Sequence, residues 1–173
     1  SRRGQPDPMG NLRIAMIAPE AAPLVRTGGL GDVMGALPHA LAARGHEVAV
    51  FIPKYASIAA STARLSATAV SPKVNLGGKT TSFTLEKQSE GNGKPSVYLV
   101  GHAGYFDRPD LYVDPRTSLD FTDNDERFAM YSLAALESLR ALGWKPDVLH
   151  LHDWQTALVP AYLKTRYLGD PAF

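Results

Sequence analysis

From residue 12 onward, short apolar runs alternate with stretches of helical period. Residues 12–18, LRIAMIA, are closed by Pro19 and read as a buried strand. Residues 30–44 read as a helix, because Val33, Leu37, Ala40 and Leu41 recur at i, i+4, i+7 and i+8. Asp32 stands in its first turn, where the positive end of the helix dipole favours a carboxylate. Pro38 inside that pattern should cost a hydrogen bond or a bend, and Gly45 ends the helix. Residues 47–52, EVAVFI, closed by Pro53, form a second strand. Strand, glycine loop, helix and strand in that order predict a right-handed βαβ unit on a parallel sheet.

The middle of the chain changes character. Residues 65–74, 79–86 and 96–100 read as strands, with Pro72 weakening the first and SEGNGKP, residues 89–95, as a turn before the last. Residues 102–122 read as a long loop rich in Asp, Tyr, Arg and Pro, a kind of loop that often carries function. Helical period returns over 123–142, where Phe128, Tyr131, Ala135, Leu139 and Leu142 share one apolar side ended by Gly143 and Pro146. Residues 147–152, DVLHLH, read as a strand and 154–167 as an amphipathic helix. The fold class is therefore α/β, a Rossmann-like, doubly wound, mostly parallel sheet. Such a sheet continues with another strand after its last helix, so the chain reads as the front part of a domain, with an apolar face open to self-association.

Composition narrows the functional classes. The chain of 173 residues is 45% hydrophobic and 20% charged, with a formal net charge of +1, which suits one globular domain. The balanced charge gives no bulk electrostatic case for nucleic acid or anionic membrane. Without cysteine there is no disulfide framework and no thiolate metal site, which suits the cytosol. No apolar run approaches the roughly 20 residues of a membrane span. Residues 1–10, SRRGQPDPMG, read as a tail or an expression remnant, because no apolar core follows the arginines; residues 11–173 read as the folded domain.

The chemistry concentrates in VRTGGLGDVMGALP, residues 25–38. In an α/β sheet, ligands lie beyond the carboxyl ends of the strands, and this loop follows the first one. Gly28, Gly29 and Gly31 carry no Cβ and can adopt positive φ, so a ligand can lie against the backbone. Helix-start amides favour an anion, and Arg26 adds a planar cationic fork, which together suit a diphosphate or a sugar phosphate. The loop matches neither G-x-G-x-x-G nor the Walker pattern, and a tight turn without ligand is the plainer alternative.

The run APEAAPLVRTGGLGDVMGALPHALAARGHEVAVFIPKY resembles the N-terminal domain of bacterial glycogen synthases and plant starch synthases, glycosyltransferase family 5. YFDRPDLY, FTDNDERFAMYSLAALE and WKPDVLHLHDWQTALVPAYLK resemble further motifs of that family in the same order, so the likeness covers residues 12 to about 167. It implies the N-terminal half of a GT-B fold and an enzyme that moves glucose from ADP-glucose to the non-reducing end of an α-1,4-glucan with retention. It also implies no metal or other cofactor, a cytoplasmic (or, in a plant, plastid) location, and a C-terminal domain carrying most of the nucleotide site. By itself the chain is then expected to be inactive. The resemblance assigns Arg26, Thr27, Gly28, Gly29 and Asp32 to the donor and its phosphates, Asp153 to the catalytic cleft and Tyr112 to the acceptor side; Trp154, a ring beside a polar Asp at a cleft, suits stacking on the acceptor sugar. The family signature opens with Lys where this chain has Arg26, which leaves donor geometry and preference open. The alternatives are a UDP-glucose-dependent GT-B transferase, a glucan-binding module without catalysis, and a non-catalytic structural fragment.

Plainer roles stand beside several of these. His150 and His152 lie two apart on one strand, where packing and placement of the strand end are expected ahead of a metal site. Asp153 can be a solvated strand-end carboxylate, Asp32 a helix-start residue, and Trp154 a core ring. Asn124 reads as a helix N-cap or a loop anchor. His39, His46 and His102 read as structural or solvated.

Overall fold

The computed structural model describes residues 10–59, 65–88, 91 and 93–173. The expected tail at 1–9 and three positions of the expected turn (89, 90 and 92) lie outside them. In chain order the elements are β1 (Arg13–Ile17), α1 (Gly29–Ala42), β2 (Glu47–Pro53), α2 (Ala56–Ala59), β3 (Leu65–Ala67), β4 (Lys73–Leu76), β5 (Lys79–Ser82), β6 (Thr84–Gln88) and β7 (Ser96–Gly101). There follow α3 (Ala103–Phe106), β8 (Val113–Asp114), β9 (Leu119–Asp120), α4 (Asn124–Ala141), β10 (Val148–Leu151), a 3-10 turn (Trp154–Thr156) and α5 (Val159–Thr165).

Among the described residues one six-stranded sheet has the order β10-β1-β2-β7-β6-β3. Strands β10, β1, β2 and β7 run parallel, and β6 and β3 extend that side antiparallel. Burial in β1 and β2 is continuous rather than alternating, with Ile14 to Ile17 and Val48 to Pro53 all buried. That is the signature of a parallel sheet covered on both faces. The chain runs from β1 outward through β2 to β7, then returns to place β10 on the other side of β1. The direction of winding thus reverses between β1 and β10, and a crevice is expected there beyond the strands' carboxyl ends.

Several expectations need correction. The strand expected over 65–74 is two strands in two sheets, because Pro72 has no N–H to give a ladder. Hydroxyls take over between them: Thr68 Oγ1 donates to the Leu85 carbonyl at 2.8 Å and Ser71 Oγ to that of Phe83 at 2.9 Å. The strand expected over 79–86 breaks at buried Phe83, so that β5 pairs with β4 while β6 joins the main sheet. The loop of 102–122 contains the turn of helix α3 and the two-residue pairing of β8 with β9. The last expected helix starts as the 3-10 turn and becomes α-helical only at Val159, with Pro160 in its first turn.

Helix α1 buries a different stripe from the one the spacing suggested. Gly31, Met34 and Pro38 face inward, whereas Val33 is 48% exposed and Ala40 is exposed. The helix runs through Pro38 without interruption. Helix α4 is buried over most of its circumference, with Phe128, Tyr131, Leu133, Leu136 and Leu139 in the core. No helix among the described residues is long and apolar enough to cross a membrane.

Candidate active site

Two segments meet beyond the carboxyl ends of β1 and β10, whose last residues pair as Ile17 with Leu151. The His152 N–H donates to the Ile17 carbonyl at 3.0 Å, extending the register past the strand end. On the other side the Ala18 N–H donates to the Phe51 carbonyl at 3.1 Å. The buried Tyr131 hydroxyl lies 2.8 Å from both the Ala18 and the Phe51 carbonyl, its proton shared between them. A side chain from α4 thereby fixes the point where β1 gives way to the glycine loop.

The loop is organised by a residue that sequence reasoning passed over. Glu20 is 3% exposed, and its carboxylate accepts the Thr27 N–H at 2.8 Å, the Thr27 hydroxyl at 2.7 Å and the Gly31 N–H at 3.1 Å. A buried carboxylate is tolerated where its lone pairs are filled in this way. The available signal was its isolation: Glu20 is the sole charged residue between Arg13 and Arg26.

The glycines serve through lack of bulk, not through handedness. None of Gly28, Gly29 and Gly31 has positive φ, and Gly28 is extended at φ −161°, which corrects the expectation of left-handed backbone. A Cβ on Gly31 would stand 2.4 Å from the Arg26 Cβ and 3.0 Å from its Cα, so the loop could not fold back on itself. Around Gly28 and Gly29 a Cβ would meet nothing within 4 Å, and these two leave their backbone open. The first N–H groups of a helix have no intrahelical partner; that of Gly31 goes to Glu20, leaving those of Gly29 and Leu30 at the positive end of α1. Arg26 Nη1 donates to Asp32 across the loop in a pair whose side chains are 63% and 59% exposed. Arg26, Thr27, Gly28, Gly29 and Asp32 therefore stand together.

Asp153 and Trp154 follow β10. Asp153 has φ 64° and ψ 179°, a region that side-chain-bearing residues almost never occupy, at a cost of about 1–3 kcal/mol. Its Oδ1 accepts the Trp154 N–H at 2.8 Å, capping the 3-10 turn, and Thr156 Oγ1 donates to the His152 carbonyl at 3.0 Å. Trp154 is 52% exposed and rests edge-on against Phe128 with centroids 5.2 Å apart, so it is not a core ring. His150 is exposed on the edge strand, correcting the packing role expected of it. His152 is half-buried, and burial, assisted by His150, lowers its pKa. The two rings lie 4.3 Å apart, and no group of three metal-ligating side chains occurs among the described residues.

Tyr112 comes from the long loop. Burial raises its pKa above 10, followed by the Glu20 carboxylate, with the Asp153 carboxylate adding to the rise. Its ring lies beside Phe128 with centroids 6.0 Å apart, and Phe128 also carries Trp154, so the long loop comes close to the β10 end. The Tyr112 and Tyr55 phenols also interact, although the Tyr55 hydroxyl makes no hydrogen bond of full geometry. Asn124 is a loop anchor and not the N-cap, a position held by Asp123: its Nδ2 donates to the Tyr112 carbonyl at 2.9 Å.

The sequence model described as the starch synthase catalytic domain matches residues 13–173. "Glycogen synthase 2" of Geobacter sulfurreducens is 39% identical over 162 residues, covering 94% of this chain and 33% of that protein. "Glycogen synthase" of Elusimicrobium minutum is 41% identical over 166 residues, again covering 94% of this chain and 33% of its own length. The chain therefore spans 33% of the length of these curated relatives. The catalytic domain of starch synthase IV from Arabidopsis thaliana, solved with ADP and acarbose, superposes with a TM-score of 0.80 at 32% identity, covering 92% of this chain and 31% of that one. The chain belongs to the starch synthase catalytic domain family.

Proposed function

We propose that this chain is the N-terminal, acceptor-side domain of a glycogen or starch synthase that transfers glucose from ADP-glucose to the non-reducing end of an α-1,4-glucan with retention. The observation that carries this reading is the reversal of winding between β1 and β10, where a crevice is expected beyond the strand ends, with Arg26 and the open Gly28–Gly29 backbone following β1 and Asp153 and Trp154 following β10. The Arabidopsis relative's ADP and acarbose, a nucleotide and an oligosaccharide analogue, are the two ligand classes such a crevice would take.

The residues divide the work by their chemistry. The diphosphate draws the Arg26 guanidinium away from exposed Asp32 and meets the Gly29 and Leu30 amides at the positive end of α1. These donors stabilise negative charge that grows on the leaving phosphate. Asp153 turns its carboxylate toward the transferred sugar, held there by the strained backbone and the Trp154 N–H. The half-exposed Trp154 ring and the Tyr112 phenol offer a stacking face and a hydroxyl to the glucan. A second domain supplies the remaining donor contacts, so this chain alone is inactive, and no metal takes part.

The test is glucose transfer to glycogen from ADP-glucose and from UDP-glucose, by this chain alone and by the protein joined to its C-terminal domain, with and without EDTA. Transfer only by the longer protein, from ADP-glucose and unaffected by EDTA, is the expected result. Transfer from UDP-glucose alone would assign the other donor. Transfer by neither, with glucan binding retained, would leave a binding module.

A further inference from the structure

One costly residue, a fully buried arginine, lies outside this division of work. Arg127 is 0% exposed, yet no carboxylate forms an ion pair with it among the described residues. Its guanidinium sits among three rings, 4.9 Å from the Phe128 centroid, 5.3 Å from Phe106 and 5.4 Å from Phe121. Its Nε and Nη2 have no hydrogen-bond partner. Burying a cation in this way is expensive, and ring faces offset only part of the cost. What the guanidinium does hold is the backbone of one loop. Nη1 donates to the Leu111 carbonyl at 2.9 Å and to Asn124 Oδ1 at 3.2 Å, while Asn124 Nδ2 donates to the Tyr112 carbonyl at 2.9 Å. The first turn of α4 thus grips two consecutive carbonyls, those on either side of the Tyr112 amide.

We propose that Arg127, acting with Asn124, is the positioning residue of the acceptor loop, holding the 111–112 backbone so that the Tyr112 ring stays beside Phe128, the ring against which Trp154 rests. The inference rests on the reading of Tyr112 as an acceptor contact. A hydrophobic residue would fill the cage at lower cost in desolvation, but it could hold neither the Leu111 carbonyl nor the Asn124 side chain that in turn holds the Tyr112 carbonyl. The Arg108–Asp123 pair, at 2.7 and 2.5 Å, braces the same loop from its far side and leaves the Tyr112 carbonyl to Asn124 and the Phe121 N–H.

The test compares Arg127→Met, Arg127→Lys, Asn124→Ala and Tyr112→Ala, with the double variant Arg127→Met/Tyr112→Ala, in the protein joined to its C-terminal domain. KM for maltooligosaccharide, KM for the nucleotide sugar, kcat and Tm are read for each. The expected result is an acceptor KM raised about tenfold in Arg127→Met, with donor KM and kcat at saturating acceptor within about twofold. Arg127→Lys recovers part of the loss, and the double variant is no worse than Tyr112→Ala alone, as a residue acting through Tyr112 requires. Additive losses, or a fall in kcat that follows Tm with acceptor KM unchanged, would overturn the proposal. Should the wild type neither transfer to nor bind glucan, the functional reading fails instead. Amide hydrogen exchange then decides: Phe121 and Asn124 exchanging faster in Arg127→Met, with the β1 and β2 amides unchanged, keeps the clamp, and unchanged loop exchange removes it.

Discussion

The Glu20 carboxylate accepts the Gly31 N–H at 3.1 Å, which ties the end of β1 to the first turn of α1 across the whole glycine loop. With both Thr27 bonds on its other oxygen, this one side chain sets the loop's shape. Glu20→Ala leaves the buried Gly31 amide unpaired. A loss of about 3 kcal/mol is expected, seen as a fall of ~9 °C in Tm for a chain of this size. A Tm within 2 °C of wild type would mean that the loop holds its shape without Glu20.

Gly28 and Gly31 should separate folding from binding. Gly31→Ala forces a Cβ against Arg26 backbone and Cβ atoms and should lower Tm clearly. Gly28→Ala meets open space at an ordinary φ, so Tm should move by less than ~0.5 kcal/mol equivalent while nucleotide-sugar affinity falls. Calorimetric melting beside a donor titration of both variants measures the two effects; equal affinity in Gly28→Ala would place the ligand elsewhere.

The strained backbone at Asp153 predicts an unusual order of stability. Glycine accepts φ 64°, ψ 179° freely, whereas alanine carries the strain without the capping carboxylate. Asp153→Gly should therefore be more stable than Asp153→Ala by about 1–2 kcal/mol in urea unfolding. Both should lose glucosyl transfer in the longer protein. Equal stabilities would show that the backbone relaxes once the carboxylate is gone.

Arg26 stands at the exposed edge of the glycine loop. Its pair with Asp32 is largely solvent-exposed, so Arg26→Ala should leave Tm almost unchanged. In the longer protein the same change should raise the donor KM or lower kcat by ~10-fold or more, while Arg26→Lys keeps most of the activity. Steady-state kinetics against donor concentration measures this, and unchanged kinetics in Arg26→Ala would remove the loop from the mechanism.

Stability should depend on two histidines. Burial lowers the pKa of His102 and of His152, helped by Lys79 and His150 respectively. His102 Nδ1 and His152 Nε2 are buried without partners, so a proton placed there gains no hydrogen bond. Below 6.5 the unfolded chain takes up protons that the folded one resists, so their contribution is complete above that pH and is lost as pH falls through the lowered folded values. Tm should therefore drop between pH 7 and about 5, and a His102→Gln/His152→Gln variant should flatten the drop. An equally steep fall in that variant would assign it to other groups.

The βαβ opening, the long α4 and the strand before Asp153 were legible in the sequence because each rests on local periodicity and on Pro or Gly at its ends. The stripe of α1 was misread because Val33 and Met34 are both apolar, and only the sheet beneath decides which of two neighbouring stripes is buried. The strands of 65–88 were misdivided because β4 and β5 leave the main sheet, a choice made by pairing partners distant in sequence.

The candidate site divides in the same way. Arg26, Gly28, Gly29, Asp32, Asp153 and Trp154 could be named from two short motifs, since their chemistry lies in consecutive residues. Glu20 and Arg127 could not be given roles, because each acts on backbone that only folding brings near: Glu20 on an amide eleven residues on, Arg127 on a carbonyl sixteen residues back. The sequence by itself determined the order of elements and which residues carry reactive groups. Tertiary structure alone decided that β10 lies beside β1, because hydrogen-bonded pairing between parallel strands 134 residues apart (Ile14 with Val148) is set by global packing and leaves no local signature.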